Sequence, residues 1–337
     1  MQSQDYASGL WSLGVRMSDA RVTDVQVAFE RAEVLRTWPM RGTIHTIRAS
    51  DAVWLLELTG VRALDASKRR REQLGLDLAV ADRAADILVA ALAESPLLTR
   101  NQSLAVLSNS GIDTTGQRGY HLLSFAALTG RICIGPTMEG QQTFASLADW
   151  APRQTALSRP DAVTELVLRY FRSHGPATER DFVGWSGLTL GDTRIGLAAN
   201  EGRIVPVECE GTTHWMSEEA SSLLADGAFR TSAPTVVLSG FDEFILGFKD
   251  RSLQLPPEHF ERIVPGGNGV FRATVCVDGQ VVGTWTRRLL AESTAVDVQM
   301  LARVSSAARS RITSAFEAYA DFLGLTLRLT GLPSAGT

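Results

Sequence analysis

The feature that most constrains the fold of this chain is a pattern that recurs along it. One copy lies at residues 96–133 and another at 175–205. Each has a turn signal at its start, a Gly-Ile or Gly-Leu step between two helical stretches, and the triplet Gly-Arg-Ile at its end. A repeated supersecondary unit fixes an architecture more firmly than any single residue does. Helix pairs followed by strand-like segments predict tandem winged helices, and therefore a protein that reads nucleic acid.

An earlier copy of the unit, at the start of the chain, is incomplete. Asp5 is placed to cap a helix over residues 6–16, and a second helix is predicted over 22–33. Residues 34–38 and 42–47 then alternate apolar and polar side chains, as a hairpin does. Because a winged helix normally has one more helix before this pair, we expect a truncated first module or a start that lies upstream.

The predicted fold class is α+β, with three tandem winged-helix modules followed by a mainly β domain that a helix closes. The predicted segments are a partial first winged helix at 1–60, a helical linker at 61–95, the second winged helix at 96–151, the third at 160–217 and the C-terminal domain at 231–332. In that last domain the strand-like stretches are 236–238, 244–246, 269–275, 281–285 and 326–329, and the closing helix is 305–323.

Composition excludes several classes of protein. The chain has 337 residues, of which 45% are hydrophobic and 21% charged, and no apolar run approaches the roughly 18–20 residues that span a bilayer. We expect a cytoplasmic protein with no signal peptide and no membrane partner. Three scattered cysteines and five histidines without ligand spacing predict no metal site, and the absence of nucleotide-binding motifs predicts no cofactor.

Charge leaves the partner open. The net charge of −4 argues mildly against a non-specific duplex binder. The positive charge is almost all arginine, since Lys68 and Lys249 are the only lysines. Arginine favours bidentate contacts with phosphate, but heavy use of arginine is also typical of a GC-rich genome.

Two glutamines near the start of the chain are the candidate catalytic residues. If the segment from Gln2 to Gln4 is extended, its two amides project to the same side. An amide is not a general base, but it orients a water or bonds a sugar. That is enough for a leaving group that departs easily, such as a cationic N7- or N3-alkylated purine. The alternative is that both glutamines are merely solvated.

The candidate DNA contacts lie in the first hairpin and at the start of a helix in the second module. The hairpin supplies arginines for phosphates and an aromatic side chain for bases, although Trp38 and Met40 have the alternative of packing against the helix pair. The acidic pair Asp242 and Glu243 favours a structural turn over a catalytic carboxylate. The candidate contacts are Arg36, Trp38, Met40, Arg41, His45, Arg118 and His121.

These stretches together resemble the AlkZ/YcaQ family of winged-helix DNA glycosylases. The segments that carry the resemblance are Gln2 to Tyr6, Thr37 to His45, Gly116 to Arg118 with His121 to Leu123, Gly175 to Thr178 with Asp181 and Phe182, and Gly240 to Phe244 with Gly247 to Arg251. The resemblance extends over essentially the whole chain. It implies three winged helices and a β domain around a DNA-binding cleft.

The resemblance also implies an activity, the excision of alkylated purines, in some members from interstrand crosslinks. The Gln-Ser-Gln motif matches the Gln-X-Gln form of the family's catalytic element, so Gln2 and Gln4 would hold the water and the deoxyribose. We therefore expect a monomeric glycosylase acting on double-stranded DNA with alkylated or crosslinked purines. The competing class is a non-catalytic winged-helix DNA-binding protein or regulator, which would usually dimerise.

Overall fold

The computed structural model describes residues 1–209, 211–227 and 234–332, which combine helices with short strands. The α-helices are α1 (Tyr6–Gly14), α2 (Val22–Glu30), α3 (Ala52–Leu55), α4 (Val61–Gln73), α5 (Leu78–Glu94), α6 (Arg100–Asn109), α7 (Arg118–Leu128), α8 (Leu147–Trp150), α9 (Arg159–His174), α10 (Glu179–Ser186), α11 (Leu190–Ala199), α12 (Glu218–Ala225), α13 (Glu243–Leu246), α14 (Phe260–Ile263) and α15 (Ser306–Leu323). The strands are β1 (Val34–Met40), β2 (Thr43–Arg48), β3 (Leu98–Thr99), β4 (Ile132–Ile134), β5 (Thr143–Ser146), β6 (Ile204–Cys209), β7 (Thr212–Ser217), β8 (Val236–Leu238), β9 (Thr274–Val277), β10 (Gln280–Leu289), β11 (Ser293–Met300) and β12 (Thr326–Thr330).

One compact unit comprises residues 26–166 and 186–196. Its sheet has the order β2-β1-β4-β5-β3. The β1–β2 hairpin turns at Arg41 and Gly42, both with positive φ, which is the backbone that a two-residue hairpin loop needs. Arg36 of β1 also pairs with Ile134 of β4. Strand β1 is therefore flanked by a strand on each side.

The core of this unit explains the composition of β1. Six of the seven residues of β1 are buried. Trp38 lies in the same hydrophobic cluster as Phe125, Phe144 and the alanine-rich face of α5. Helix α5 begins where the Asp77 side chain accepts a hydrogen bond from the backbone N–H of Val80 at 2.8 Å. Both faces of β1 are therefore covered, and even its polar residues Arg36 and Thr37 are buried.

The other compact unit comprises residues 1–25, 167–185 and the described part of 197–337. Its sheet has the order β12-β11-β10-β9-β8, antiparallel except for the parallel pair β11–β12. Trp11 of α1 lies with its ring centroid 5.0 Å from that of Tyr319 in α15, and its indole N–H donates to the carbonyl oxygen of Val237 at 2.7 Å. Helix α1 is thereby fixed to the C-terminal sheet and helix.

The mixture of helices and strands that the sequence predicts is confirmed, with local corrections. Residues 244–246, predicted as a strand, lie in α13 because the Asp242 side chain caps that helix. Only the end of the predicted strand at 269–275 is a strand, and β11 was not predicted. The hairpins expected in the first two modules share one sheet, so the chain divides differently from the predicted segments, whose boundaries remain predictions.

No helix in the described part of the chain is both long and apolar enough to cross a bilayer.

Candidate active site

The segment before α1 brings the two predicted glutamines together. The Gln2 amide Nε2 donates to the Gln4 amide Oε1 at 2.9 Å, as the extended geometry predicts. Gln2 is buried and Gln4 is exposed. Ser3 between them is buried and packs towards Gly9, where an added Cβ would lie 2.7 Å from the Ser3 Cβ. Glycine at position 9 therefore lets α1 approach the glutamine segment closely.

Asp5 fixes the end of this segment. Its carboxylate accepts from the backbone N–H of Ser8 at 2.7 Å and from Arg287 Nη2 at 2.8 Å. Burial opposes ionisation, but the hydrogen bonds from Ser8 and the charge of Arg287 outweigh it and hold the pKa of Asp5 below its ordinary value. Asp5 is consequently ionised at neutral pH and anchors the residue that follows Gln4.

Glu243, the first residue of α13, fixes the other end of the segment. Its Oε1 accepts from the backbone N–H of Gln2 at 3.1 Å, and its Oε2 accepts from the indole N–H of Trp185 at 2.9 Å. The Oε2 atom also lies 3.7 Å from His174 Nε2. Glu243 is 7% exposed, so the structure holds a buried carboxylate against the backbone of Gln2.

Aromatic rings support Glu243. The His174 ring stacks on that of Tyr170 at a centroid distance of 4.5 Å and an interplanar angle of 11°. An added Cβ at Gly247 would lie 2.3 Å from His174 Cδ2, so this stack requires glycine there. Burial, with the negative charges of Asp181 and Glu243, raises the pKa of Tyr170. The phenol stays protonated and donates to the carbonyl oxygen of Gly247 at 2.7 Å.

Asp242, the other member of the acidic pair, is structural. Its carboxylate pairs with Arg16 at 2.7 Å, accepts from the Ser12 hydroxyl at 3.0 Å and caps α13 through the Phe244 N–H at 2.9 Å. Because Ser12 lies in α1 and Arg16 follows the end of that helix, Asp242 connects α1 to α13. The adjacent carboxylates therefore differ in their surroundings: Asp242 is paired with a cation, whereas Glu243 contacts the glutamine segment, Trp185 and His174.

A cavity opens beside the start of α1. Its volume is about 640 Å³, and Arg272, Thr284 and Arg287 lie in its wall with Ser8. Arg287 also bonds to Asp5. The cavity therefore places guanidinium groups, which suit phosphate, on the side of the segment that follows Gln4.

Four of the predicted DNA contacts need correction. Arg36, Trp38, Met40 and His45 are between 0% and 4% exposed. Arg36, Trp38 and Met40 lie in β1, an internal strand whose side chains pack into the unit, and His45 lies in the buried middle of β2, which pairs with β1. The His45 ring nitrogen Nδ1, for example, lies 2.9 Å from the carbonyl oxygen of Thr43. The four side chains are therefore packed within the unit and offer little surface to DNA.

The side chains of the other three predicted contacts are at least partly exposed to solvent. Arg41 is exposed at the hairpin tip. Arg118, at the start of α7, donates to the carbonyl oxygens of Asp113, at 2.8 Å, and of Leu74. His121 is half-buried, and burial together with the charges of Arg70 and Arg71 lowers its pKa. A contact of Arg41, Arg118 or His121 with DNA stays a prediction.

The search for metal sites within the described ranges found no group of three or more His, Cys, Asp or Glu side chains that would hold an ion. Cys133 and Cys276 are buried, and burial raises the pKa of each thiol to about 12. These two thiols remain protonated, which makes them poor nucleophiles.

Comparison with known proteins identifies the family. The model of the AlkZ-like DNA glycosylases matches residues 1–322. The chain belongs to the AlkZ-like DNA glycosylase family. A curated relative, the interstrand DNA cross-link repair glycosylase of Streptomyces sahachiroi, is 28% identical over 309 residues, which is 82% of this chain and 78% of the relative. The solved Streptomyces sahachiroi DNA glycosylase AlkZ has the same fold, with a TM-score of 0.78 at 21% identity over 98% of this chain and 90% of that one.

As an AlkZ-like protein the chain is a DNA glycosylase, an enzyme that hydrolyses N-glycosyl bonds. The sequence pointed to the glutamines but not to the groups that surround them. Glu243 was recognised only as half of an acidic pair, His174 only as a histidine without ligand spacing, and Trp185 was not singled out. The available signal was the Gly-Phe-Asp-Glu-Phe segment, which is one of the segments that carry the resemblance to the family.

Proposed function

We propose that this AlkZ-like glycosylase hydrolyses the N-glycosidic bond of N7- or N3-alkylated purines in duplex DNA. The observation that carries the proposal is the Gln2–Gln4 pair, joined at 2.9 Å between a buried and an exposed position. The Gln2 Nε2 to Gln4 Oε1 bond leaves the Gln2 carbonyl oxygen as an acceptor and the Gln4 amide nitrogen as a donor. A pair with one acceptor and one donor suits a water and a sugar oxygen.

In the proposed reaction, water attacks C1′ of the deoxyribose as the bond from C1′ to the purine nitrogen breaks. The bonding electrons neutralise the cationic base, which leaves without being protonated, and the water proton passes to solvent. The products are the free alkylated base and an abasic site. Gln4 and Gln2 position the water and stabilise the oxocarbenium-like state by orientation, so no general base is needed.

The substrate class extends to interstrand crosslinks in this proposal. The support is the curated relative, whose name specifies interstrand cross-link repair and which aligns over most of both chains. A crosslink through purine N7 atoms presents the same cationic leaving group as a simple alkylated purine. A crosslinked duplex should therefore be converted to separable strands, which a denaturing gel would detect. Persistence of the crosslink during complete release of N7-methylguanine would restrict the substrate to monoadducts.

The architecture that we propose for DNA binding is three winged-helix modules, at 1–60, 96–151 and 160–217, with a linker at 61–95 and the β-rich domain at 231–332. Support comes from the order of elements: β3-α6-α7-β4-β5, preceded by α5 at the end of the linker segment, and α9-α10-α11-β6-β7 both follow the winged-helix order, and α1-α2-β1-β2 follows its second half. We further propose that the protein acts as a monomer, because tandem modules in one chain replace the paired half-sites of a dimer. Light scattering of the purified protein tests this.

The decisive experiment is single-turnover release of base from a duplex that contains N7-methylguanine, scored as alkali-labile abasic sites. Wild-type protein should release the base, and Gln4→Ala should lower the rate by about 100-fold, because misplacing a reacting group costs rate on that order. The matched control is Gln141→Ala, which removes an exposed glutamine in the other unit. Tight binding without release by wild-type protein would favour a non-catalytic DNA-binding protein instead.

A further inference from the structure

We infer that Glu243 is a positioning residue for this glycosylase, and that it acts through the backbone of Gln2. The inference rests on the proposed function of the Gln2–Gln4 pair. Its geometric basis is the 3.1 Å hydrogen bond from the Gln2 N–H to Glu243 Oε1 across 241 residues of sequence. This bond attaches the first residue of the glutamine segment to the β-rich part of the same compact unit.

The segment is held at both ends in a comparable way. Glu243 accepts from Gln2 at one end, and Asp5 pairs with Arg287 at 2.8 Å at the other. Ser3 is buried against Gly9 between these two points. Removal of the Glu243 carboxylate would therefore release Gln2 while the Asp5 end stays attached. The amide of Gln2 would then no longer be aimed at that of Gln4.

The placement of Glu243 is itself over-determined. Asp242 caps α13 and is paired with Arg16, which fixes the backbone of Glu243. The indole N–H of Trp185 holds Oε2 at 2.9 Å, which leaves Oε1 turned to Gln2. A buried carboxylate costs free energy unless it is well bonded. Even a well-bonded buried charge adds little to the stability of the fold. A carboxylate with hydrogen-bond donors on both oxygens is therefore better explained by a role in orienting its neighbours than by a role in stability.

The test combines two measurements on full-length protein. Hydrogen–deuterium exchange of the peptide that covers residues 1–10 reports whether Gln2 is anchored, independently of activity. Single-turnover cleavage of the N7-methylguanine duplex reports whether the anchor serves the reaction. The variants are Glu243→Ala, Glu243→Gln and Trp185→Phe. Glu258→Ala, which removes an exposed carboxylate of the same unit, is the matched control.

Glu243→Ala should speed exchange of the 1–10 peptide and lower the cleavage rate by about 100-fold, with the Kd for the duplex unchanged within about twofold. Glu243→Gln retains an oxygen for the Gln2 N–H but turns an amide donor towards the indole N–H of Trp185. Its cleavage rate should therefore fall by nearer tenfold. It also preserves the packing, which keeps the test valid if the alanine variant folds poorly. Trp185→Phe should lower the cleavage rate by less than either Glu243 variant does. Glu258→Ala should match wild type in both cleavage rate and exchange.

A double-mutant cycle separates positioning from simple destabilisation. In a Gln2→Ala background the side chain to be positioned is already gone, so adding Glu243→Ala should lower the rate by less than about threefold. A full further loss there, a Kd that weakens in step with the rate, or unchanged exchange of the 1–10 peptide would each overturn the inference. If wild-type protein does not cleave the duplex but Glu243→Ala still speeds exchange of the 1–10 peptide, and the Glu258→Ala control does not, the proposed function fails while the anchoring by Glu243 stands.

Discussion

The second and third repeats of this chain share an order of helices followed by a hairpin but expose different parts. In the second repeat, strands β4 and β5 are buried throughout and belong to a five-stranded sheet. In the third, β6 and β7 form a two-stranded sheet of their own, and most of their residues are exposed or half-buried. The same supersecondary unit therefore provides core in one place and surface in another.

The two repeats also differ in charge next to their helices. Beside α7 of the second repeat lie Arg70 and Arg71 of α4, close enough to lower the pKa of His121. In the third repeat α11 carries Arg194, but Glu208 lies on β6, and Glu218 and Glu219 open α12 directly after the repeat. Because phosphate contacts dominate affinity for DNA, the comparison favours the second repeat as the DNA-binding one, even though its hairpin is buried.

The largest expected difference between the repeats is in stability. Ile134→Ala in β4 removes a side chain that is fully buried, and should lower the free energy of unfolding by about 2–5 kcal/mol. Val207→Ala in β6 removes a half-buried side chain and should cost roughly 1 kcal/mol or less. Denaturant unfolding of both variants measures this. Equal losses would mean that the third hairpin is as much a part of a core as the second.

A smaller effect is expected in the pH dependence of DNA binding. Burial and the charges of Arg70 and Arg71 lower the pKa of His121 in the free protein. A phosphate nearby would raise that pKa, so the complex would take up a proton and affinity would rise as the pH falls through the pKa of the bound state, by up to about tenfold per pH unit.

His121→Gln should abolish that pH dependence, and His214→Gln, in the hairpin of the third repeat, should leave it intact. Titration of a fluorescent duplex at several pH values and constant salt provides the measurement. Arg118→Gln should in addition lower the slope of log Kd against log salt by about one. A salt slope that falls instead with Arg203→Gln would reverse the assignment of the two repeats.

Sequence reasoning predicted what depends on local geometry. The cap at Asp5, the hairpin at 34–48 and the helix that closes the C-terminal domain follow from spacing and turn chemistry over a few residues. It could not predict that β1 is internal, because that depends on the pairing of Arg36 with Ile134, far along the chain. Alternation of apolar residues is the same for an edge hairpin and for one that gains a neighbour.

The same division holds within the candidate site. An extended Gln-Ser-Gln segment places both amides on one side whatever surrounds it, so the contact between Gln2 and Gln4 was predictable. The bond from Gln2 to Glu243 joins residues 241 apart, and nothing in either local sequence specifies it. The acidic pair also gave no reason to separate Glu243 from Asp242, because only the tertiary fold supplies Arg16 to one of them and Gln2 to the other.

The smallest expected difference concerns the arginine that both repeats carry in their Gly-Arg-Ile turn. Arg131 of the second repeat pairs with Asp82 and Asp86 of α5, each at 3.0 Å, whereas Arg203 of the third reaches the Asn200 side chain at 3.4 Å. Because the Asp82 and Asp86 side chains are 40% and 75% exposed, solvent screens both pairs.

Arg131→Ala should therefore lower the free energy of unfolding by only about 0.2–1 kcal/mol, and Arg203→Ala should lower it by less. A double-mutant cycle with Asp82→Ala isolates the pair. A coupling energy indistinguishable from zero would mean that the two turns differ in geometry but not in energy, and that burial of the strands alone distinguishes the repeats.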